Sequence, residues 1–263
     1  MIRTYVLDTD MLPDPYEHPA QWEACMQNVT EERAEKIRRI RHVEAKKQSL
    51  GAGLLLHAVW NRSEPDAQIT QEAYGKPVCA AIPFNLSHTK EAVILSVTKE
   101  NSANETDTAD IRIGCDIEQI HTYKSGIARR FFTKEEYHTL EAVGDPQAQA
   151  ELFCRYWTKK ESVMKMTGLG LALPMELYDV RGGQAITDNA KVHAWYEKEL
   201  QKELQKDRKK EQKKEALAQA ACILLHEKIY LKEYRYKKCC ITVCSTVERF
   251  AADLTILHSI GNW

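Results

Sequence analysis

The sequence predicts an α+β fold in which two similar α/β lobes of one chain surround a shared groove. Each half offers a short strand, then helices, then a late apolar hairpin. A polar, acidic stretch without periodicity, "KENSANETDTAD" at 99–110, lies between them as a solvated linker. Composition agrees with a globular chain, at 43% hydrophobic and 29% charged among 263 residues, enough to bury a substantial core. The lobes are placed at 1–110 and 111–263.

The first half opens with the strand "RTYVLD". A helix follows, with Thr30 as its cap and Glu31 and Glu32 in its first turn. From Glu31 to Lys47 it holds seven Lys/Arg against four Glu, a local excess of three positive charges. "SLGAGLLLHAVW" continues as a buried helix, "AYGKP" is a turn, and "FNLSHTKEAVILSVT" is two strand pieces around a polar corner.

The second half begins with the strand "RIGCDIEQI" at 112–120. "FFTKEEYHTL" carries a capping box, Thr133 with Glu136 three residues on. A full helix follows, with Asp145 as cap, Pro146 at its first position and Gly168 beyond its end. The pieces "LYDVRG" and "KIYLKEYRYKKCCITVCS" close the half as strands. A charged insertion at about 195–215 interrupts the scheme. Lysines at 198, 202, 206, 210 and 214 alternate with acids at 199, 203, 207, 211 and 215. That spacing lets the two stripes pair along a solvated, projecting helix.

Composition excludes several roles. A net charge of −1 creates no global field, so nucleic acid or a membrane surface would need a local patch. No apolar run reaches membrane-helix length, and the N-terminus lacks a signal-peptide core. A cytoplasmic protein is expected. The eight cysteines are scattered with no CxxC pair, so structural thiols are expected rather than a zinc site or disulfides.

The strand at 112–120 poses the functional question. Ile113, Cys115 and Ile117 fall on one face, whereas Asp116 and Glu118 fall together on the other. Solvent exposure alone explains such a pair. On the helix from 145, Phe153, Trp157 and Met164 mark an apolar stripe, with Glu161 and Lys165 four residues apart along its edge. Lys160 falls inside the stripe, a local violation of the kind that collects at functional sites. Gly75-Lys76-Pro77 presents a lysine on a tight turn, and Asn85, Ser87, His88 and Thr89 supply a set of donors at a strand corner. Three carboxylates suit a magnesium ion, and the surrounding lysines, histidine and hydroxyls suit a polyphosphate.

These motifs, in this order, resemble the 4'-phosphopantetheinyl transferases. The closest class is the two-lobed one that includes the activator of surfactin synthetase. The resemblance rests on Gly75-Lys76-Pro77, on Asn85 to Thr89, on Ile113 to Glu118, and on "WTKKESVMK" from Trp157 to Lys165. It spans roughly residues 1 to 180 plus the final hairpin. It implies a pseudo-twofold α+β fold with coenzyme A in the cleft between lobes. It also implies transfer of phosphopantetheine to a serine of an apo acyl or peptidyl carrier protein, releasing adenosine 3',5'-bisphosphate. Carried over by position, Asp116, Glu118 and Glu161 are the expected magnesium ligands. Lys165 contacts the pyrophosphate, and Lys76, Ser87 and His88 bind the nucleotide end and its phosphates. Arg33 and Lys36 form the N-terminal basic pair, and Lys47 stands where an arginine is expected. Cys115 replaces the usual aliphatic residue, and the charged insertion has no counterpart in the family pattern.

Glu161 and Lys165 are the expected catalytic pair. Glu161 takes the serine proton, directly or through a water, and Lys165 stabilises charge on the leaving phosphate. Residues 121–132, "HTYKSGIARRFF", are the expected carrier-facing surface, with Phe131 and Phe132 either there or in the core. A monomer is expected, since two internal lobes complete the groove. Two other readings stay open: a metal-dependent phosphodiesterase, and a non-catalytic coenzyme A or carrier-binding module.

Overall fold

β1 (Ile2–Asp8) enters the core along almost its whole length. It is followed by α1 (Pro19–Met26), α2 (Glu31–Arg39) and α3 (Val43–Val59). The computed structural model describes residues 1–60, 68–79, 81–98, 111–205 and 211–258. The expected linker at 99–110 lies outside the described residues, as do 206–210 of the charged insertion. Thr30 caps α2 as expected, its hydroxyl accepting the Arg33 N–H. The basic helix expected to run on to Lys47 instead stops at Arg39, with Ile40 and His42 in extended conformation. The break has a packing cause. Ile37 and Leu50 are both buried in one core, yet on an unbroken helix they would lie roughly 140° apart.

The short hairpin β2 (Thr70–Gln71) and β3 (Pro77–Val78) turns at Gly75, where φ is +86°. β4 (Phe84–His88) and β5 (Ala92–Thr98) then pair antiparallel, and β5 pairs with β1.

The second sheet starts with β6 (Ile113–Gln119), followed by α4 (Ser125–Phe131), α5 (Lys134–Glu141) and α6 (Pro146–Thr167). Both bonds of the Thr133–Glu136 capping box form on α5. Asp145 caps α6, and Gly168 ends it in the left-handed region at φ +79°. Next come β7 (Tyr178–Asp179), β8 (Gln184–Thr187), α7 (Asn189–Leu204) and α8 (Glu211–His226). β9 (Ile229–Tyr236) and β10 (Cys239–Ser245) form the apolar hairpin, giving the antiparallel order β6-β10-β9-β8-β7. The chain then returns to the first sheet, where β11 (Thr255–Leu257) lies parallel to β1 and completes the order β11-β1-β5-β4. The fold is mixed α/β. β4 and β6 are each the terminal strand of their sheet, and they lie against one another.

Two further sequence readings change in three dimensions, and one left open is settled. The charged insertion is not one projecting helix but parts of two packed ones. Val192 and Trp195 of α7, with Leu217, Ala220 and Leu224 of α8, are buried in the core of the second half. Of the expected pairs, Glu199–Lys202 closes at 2.6 Å and Glu211–Lys214 at 3.3 Å. Lys160, flagged as a functional anomaly, is a structural cation. It is 0% exposed, 2.8 Å from the equally buried Glu136, and donates to the carbonyls of Met175 and Tyr178. Phe132 is core and packs on Phe153 and Tyr156, while Phe131 is half-buried against Trp157. Seven cysteines are buried as packed side chains and Cys222 is exposed. Among the described residues no helix is long and apolar enough to cross a membrane.

Candidate functional site

The site begins with a glycine. Gly114, Asp116 and Glu118 share one face of β6 by strand alternation, and Gly114 presses directly on α6. A Cβ there would stand 2.5 Å from the Met166 nitrogen and closer still to the Ser162 carbonyl oxygen. Only a residue without a side chain allows this approach. Ser162 and Met166 each follow a site residue, so the contact brings Glu161 and Lys165 to the carboxylates of β6. β4 completes the group from the other side.

Lys165 Nζ donates to Asp116 Oδ1 at 2.6 Å and to Ser87 Oγ at 2.8 Å. The Ser87 hydroxyl donates to the same Asp116 oxygen at 2.9 Å. Three elements therefore meet at one buried carboxylate, 3% exposed. Its other oxygen, Oδ2, is buried and has no hydrogen-bond partner among the described residues.

The electrostatics follow from this crowding. Burial pushes the Glu118 carboxyl up to about 7, and the neighbouring Asp116 and Glu161 charges push the same way. Glu161 is raised by burial and then by Asp116, against the pull of Lys165. Burial disfavours the Lys165 ammonium, but Asp116, Cys115 and Glu161 together outweigh it and leave this lysine above its ordinary value. Burial and then the Lys165 charge hold His88 below its ordinary value, placing the imidazole in the same field.

Three carboxylates in mutual repulsion, with one bare buried oxygen, are a donor set suited to a hard divalent cation. Among the described residues no three acidic, imidazole or thiol groups stand close enough together to hold a metal ion, and Lys165 pairs with Asp116 Oδ1. A cation placed here would satisfy Asp116 Oδ2 and oppose the burial and charge repulsion that raise Glu118 and Glu161.

The remaining sequence candidates are dispersed. Lys76 extends from the β2–β3 turn to the far end of β6, where its ammonium donates to Met166 O at 2.9 Å and Ile113 O at 3.3 Å. Burial pulls it down to about 8. Arg33 is half-buried, its Nη1 3.4 Å from Ser49 O, and lies against the bare backbone of Gly53. Lys36 is exposed and Lys47 half-buried, on α2 and α3. Among the described residues no hydrogen bond or ion pair links Arg33, Lys36 or Lys47 to the carboxylate cluster. The main chain of Thr89 is tied to α3 through Gln48, 2.9 Å from its carbonyl. Sequence reasoning missed Glu72, which pairs with Arg112 at 3.5 Å and lies against Gly168, so it braces the entry to β6. No local pattern announces it.

Comparison with known proteins places the chain in a family. The model of the 4'-phosphopantetheinyl transferase superfamily matches residues 112–222, which include Asp116, Glu118, Glu161 and Lys165. The chain is 33% identical over 166 residues to the 4'-phosphopantetheinyl transferase Sfp of Bacillus subtilis (strain 168), covering 60% of this chain and 69% of that protein. It is 31% identical over 140 residues to the 4'-phosphopantetheinyl transferase HetI of a Nostoc species, covering 49% and 53%. Against the mouse L-aminoadipate-semialdehyde dehydrogenase-phosphopantetheinyl transferase it is 26% identical over 176 residues, covering 60% and 54%. Identity of this extent, with the family-model match, shows that the chain belongs to the 4'-phosphopantetheinyl transferase superfamily of enzymes.

Proposed function

We propose that this enzyme moves the 4'-phosphopantetheine group of coenzyme A onto a serine of an apo acyl or peptidyl carrier protein. The products are the holo carrier and adenosine 3',5'-bisphosphate. The observation that carries the proposal is the meeting of β4, β6 and α6 at Asp116, with one carboxylate oxygen bare. Asp116, Glu118 and Glu161 are the residues that would hold Mg2+. When bound, that ion supplies charge neutralisation at the pyrophosphate.

The chain's own groups account for the rest. Lys165, kept protonated beside Asp116, stands to balance the negative charge that grows on the departing phosphate. Ser87 and His88 donate at the same edge. Glu161, raised in pKa, is the acceptor for the carrier serine proton. Positioning and charge stabilisation carry most of a phosphoryl transfer. Lys76, Arg33, Lys36 and Lys47 are proposed to hold the nucleotide end. Residues 1–110 and 111–263 are read as the two pseudo-twofold lobes, the second lending β11 to the sheet of the first, with the substrate between them. Residues 121–132 are the proposed carrier-facing segment. The reading is of a cytoplasmic monomer.

The test is incubation with coenzyme A, Mg2+ and a panel of apo carriers from fatty-acid, polyketide and nonribosomal-peptide systems. Mass spectrometry of the carriers is expected to show one added phosphopantetheine on a serine, abolished by a chelator. Hydrolysis of the coenzyme without carrier modification would favour a phosphodiesterase. Carrier binding without modification would favour a non-catalytic module.

A further inference from the structure

We propose that Asn85 is a positioning residue that sets the register of the site across the seam between the two sheets. The inference rests on the transferase reading above and extends it to a residue that touches neither substrate nor metal there.

β4 and β6 each have one edge in a ladder, β4 with β5 and β6 with β10. Their other edges face one another, yet the strands belong to separate sheets and no ladder joins them. Facing strand edges left unpaired would bury unsatisfied backbone groups. The Asn85 side chain satisfies one of these groups. Its Oδ1 accepts the Cys115 N–H at 2.8 Å, and the Cys115 thiol donates to the Asn85 carbonyl at 3.3 Å. Asn85 is 3% exposed, so the contact is sealed from water.

Strand alternation places Ser87 on the same face of β4 as Asn85, two residues on. Ser87 makes the next crossing, its hydroxyl 2.9 Å from Asp116 Oδ1, and Lys165 closes on both. The Asn85–Cys115 bond thus fixes the spacing between Ser87 and His88 on one sheet and Asp116 and Glu118 on the other. A substrate held by both strands senses that spacing directly. Misplacement of about 1 Å in such a site costs on the order of 100-fold in rate.

The experiment uses the full chain with coenzyme A, Mg2+ and an apo carrier. Asn85→Ala is expected to raise the KM for coenzyme A and the half-saturating Mg2+ concentration, each on the order of tenfold, and to lower kcat/KM roughly 100-fold. Loss of folded protein lowers kcat but leaves KM unchanged, so the KM shift separates positioning from instability. If Asn85→Ala does not fold, Asn85→Ser, whose hydroxyl falls short of the Cys115 nitrogen, is expected to show the same KM shift. Cys115→Ala keeps the main-chain donor and is expected to hold KM within about twofold. Amide exchange at Cys115 reads the seam without turnover and is expected to quicken on the order of tenfold in Asn85→Ala. An inactive wild type would overturn the transferase reading, not the seam bond. An active wild type with unchanged KM in the folded Asn85 variant overturns the positioning role. Unchanged exchange at Cys115, or a Cys115→Ala shift as large as that of Asn85→Ala, also overturns it.

Discussion

Lys165 Nζ lies 2.6 Å from Asp116 Oδ1 and bridges the long helix to the carboxylate strand, 49 residues away in sequence. The same ammonium reaches Ser87, so one cation ties α6, β6 and β4 together. It engages one Asp116 oxygen and leaves Oδ2 buried and bare, beside two carboxyls, Glu118 and Glu161, that burial raises above their ordinary values. Ion pair and bare oxygen together define where further positive charge is favourable.

Glu161→Gln keeps shape and removes the proton acceptor. Transfer to the carrier is expected to fall roughly 10²- to 10⁴-fold in kcat. Coenzyme A binding, followed by calorimetry, is expected to change only a few-fold. Wild-type turnover in this variant would refute the role given to Glu161.

Glu118 provides a pH signature in the metal-free protein. Its carboxyl titrates at about 7 when folded, against 4.5 ordinarily, so between these values the folded state holds a proton that the unfolded chain has lost. Stability therefore declines as pH rises through that window, and Glu161, shifted the same way, adds to the decline. Glu118→Gln removes one of the two groups. Urea midpoints measured across the window are expected to fall less steeply in that variant. An equal slope in both proteins would contradict the assignment.

Gly114→Ala tests the contact between strand and helix. The added carbon meets the backbone of Ser162 and Met166, neither of which can swing aside. A loss of about 1–3 kcal/mol or more is expected from denaturant unfolding, with loss of transfer because Asp116 is carried away from Lys165. Gly126→Ala is the control. Nothing lies within 4 Å of a Cβ there, and a change within about 0.5 kcal/mol is expected.

Lys160→Met removes one partner of the buried Lys160–Glu136 pair and leaves the carboxylate uncompensated. Such a break costs about 3–5 kcal/mol, read as a lowered denaturant midpoint. Under conditions where the variant is folded, its KM for coenzyme A is expected to match the wild type, since among the described residues Lys160 donates only to Glu136 and main-chain carbonyls. A raised KM would return Lys160 to the site.

Local chemistry made much of the chain legible without coordinates. Thr30, Thr133, Asp145 and Gly168 mark helix ends because a cap is satisfied within three residues of itself. Alternation placed Asp116 and Glu118 on one face because strand geometry has a period of two, and helical spacing set Glu161 above Lys165. What tertiary structure decided depends on partners far along the chain. The break between α2 and α3 arises from a core that both must enter. Lys160 is structural because Glu136, from another helix, meets it in the interior. Lys76 turns to backbone carbonyls at Ile113 and Met166, and Asn85, read from sequence as a donor, is the acceptor that splices two sheet edges. Sequence alone determined which residues carry charge, where elements begin and end, and which family the motifs resemble, since these depend on neighbours within a turn or two. Only the folded chain decided which charges meet, because burial and pairing are properties of contacts between elements that the sequence leaves tens of residues apart.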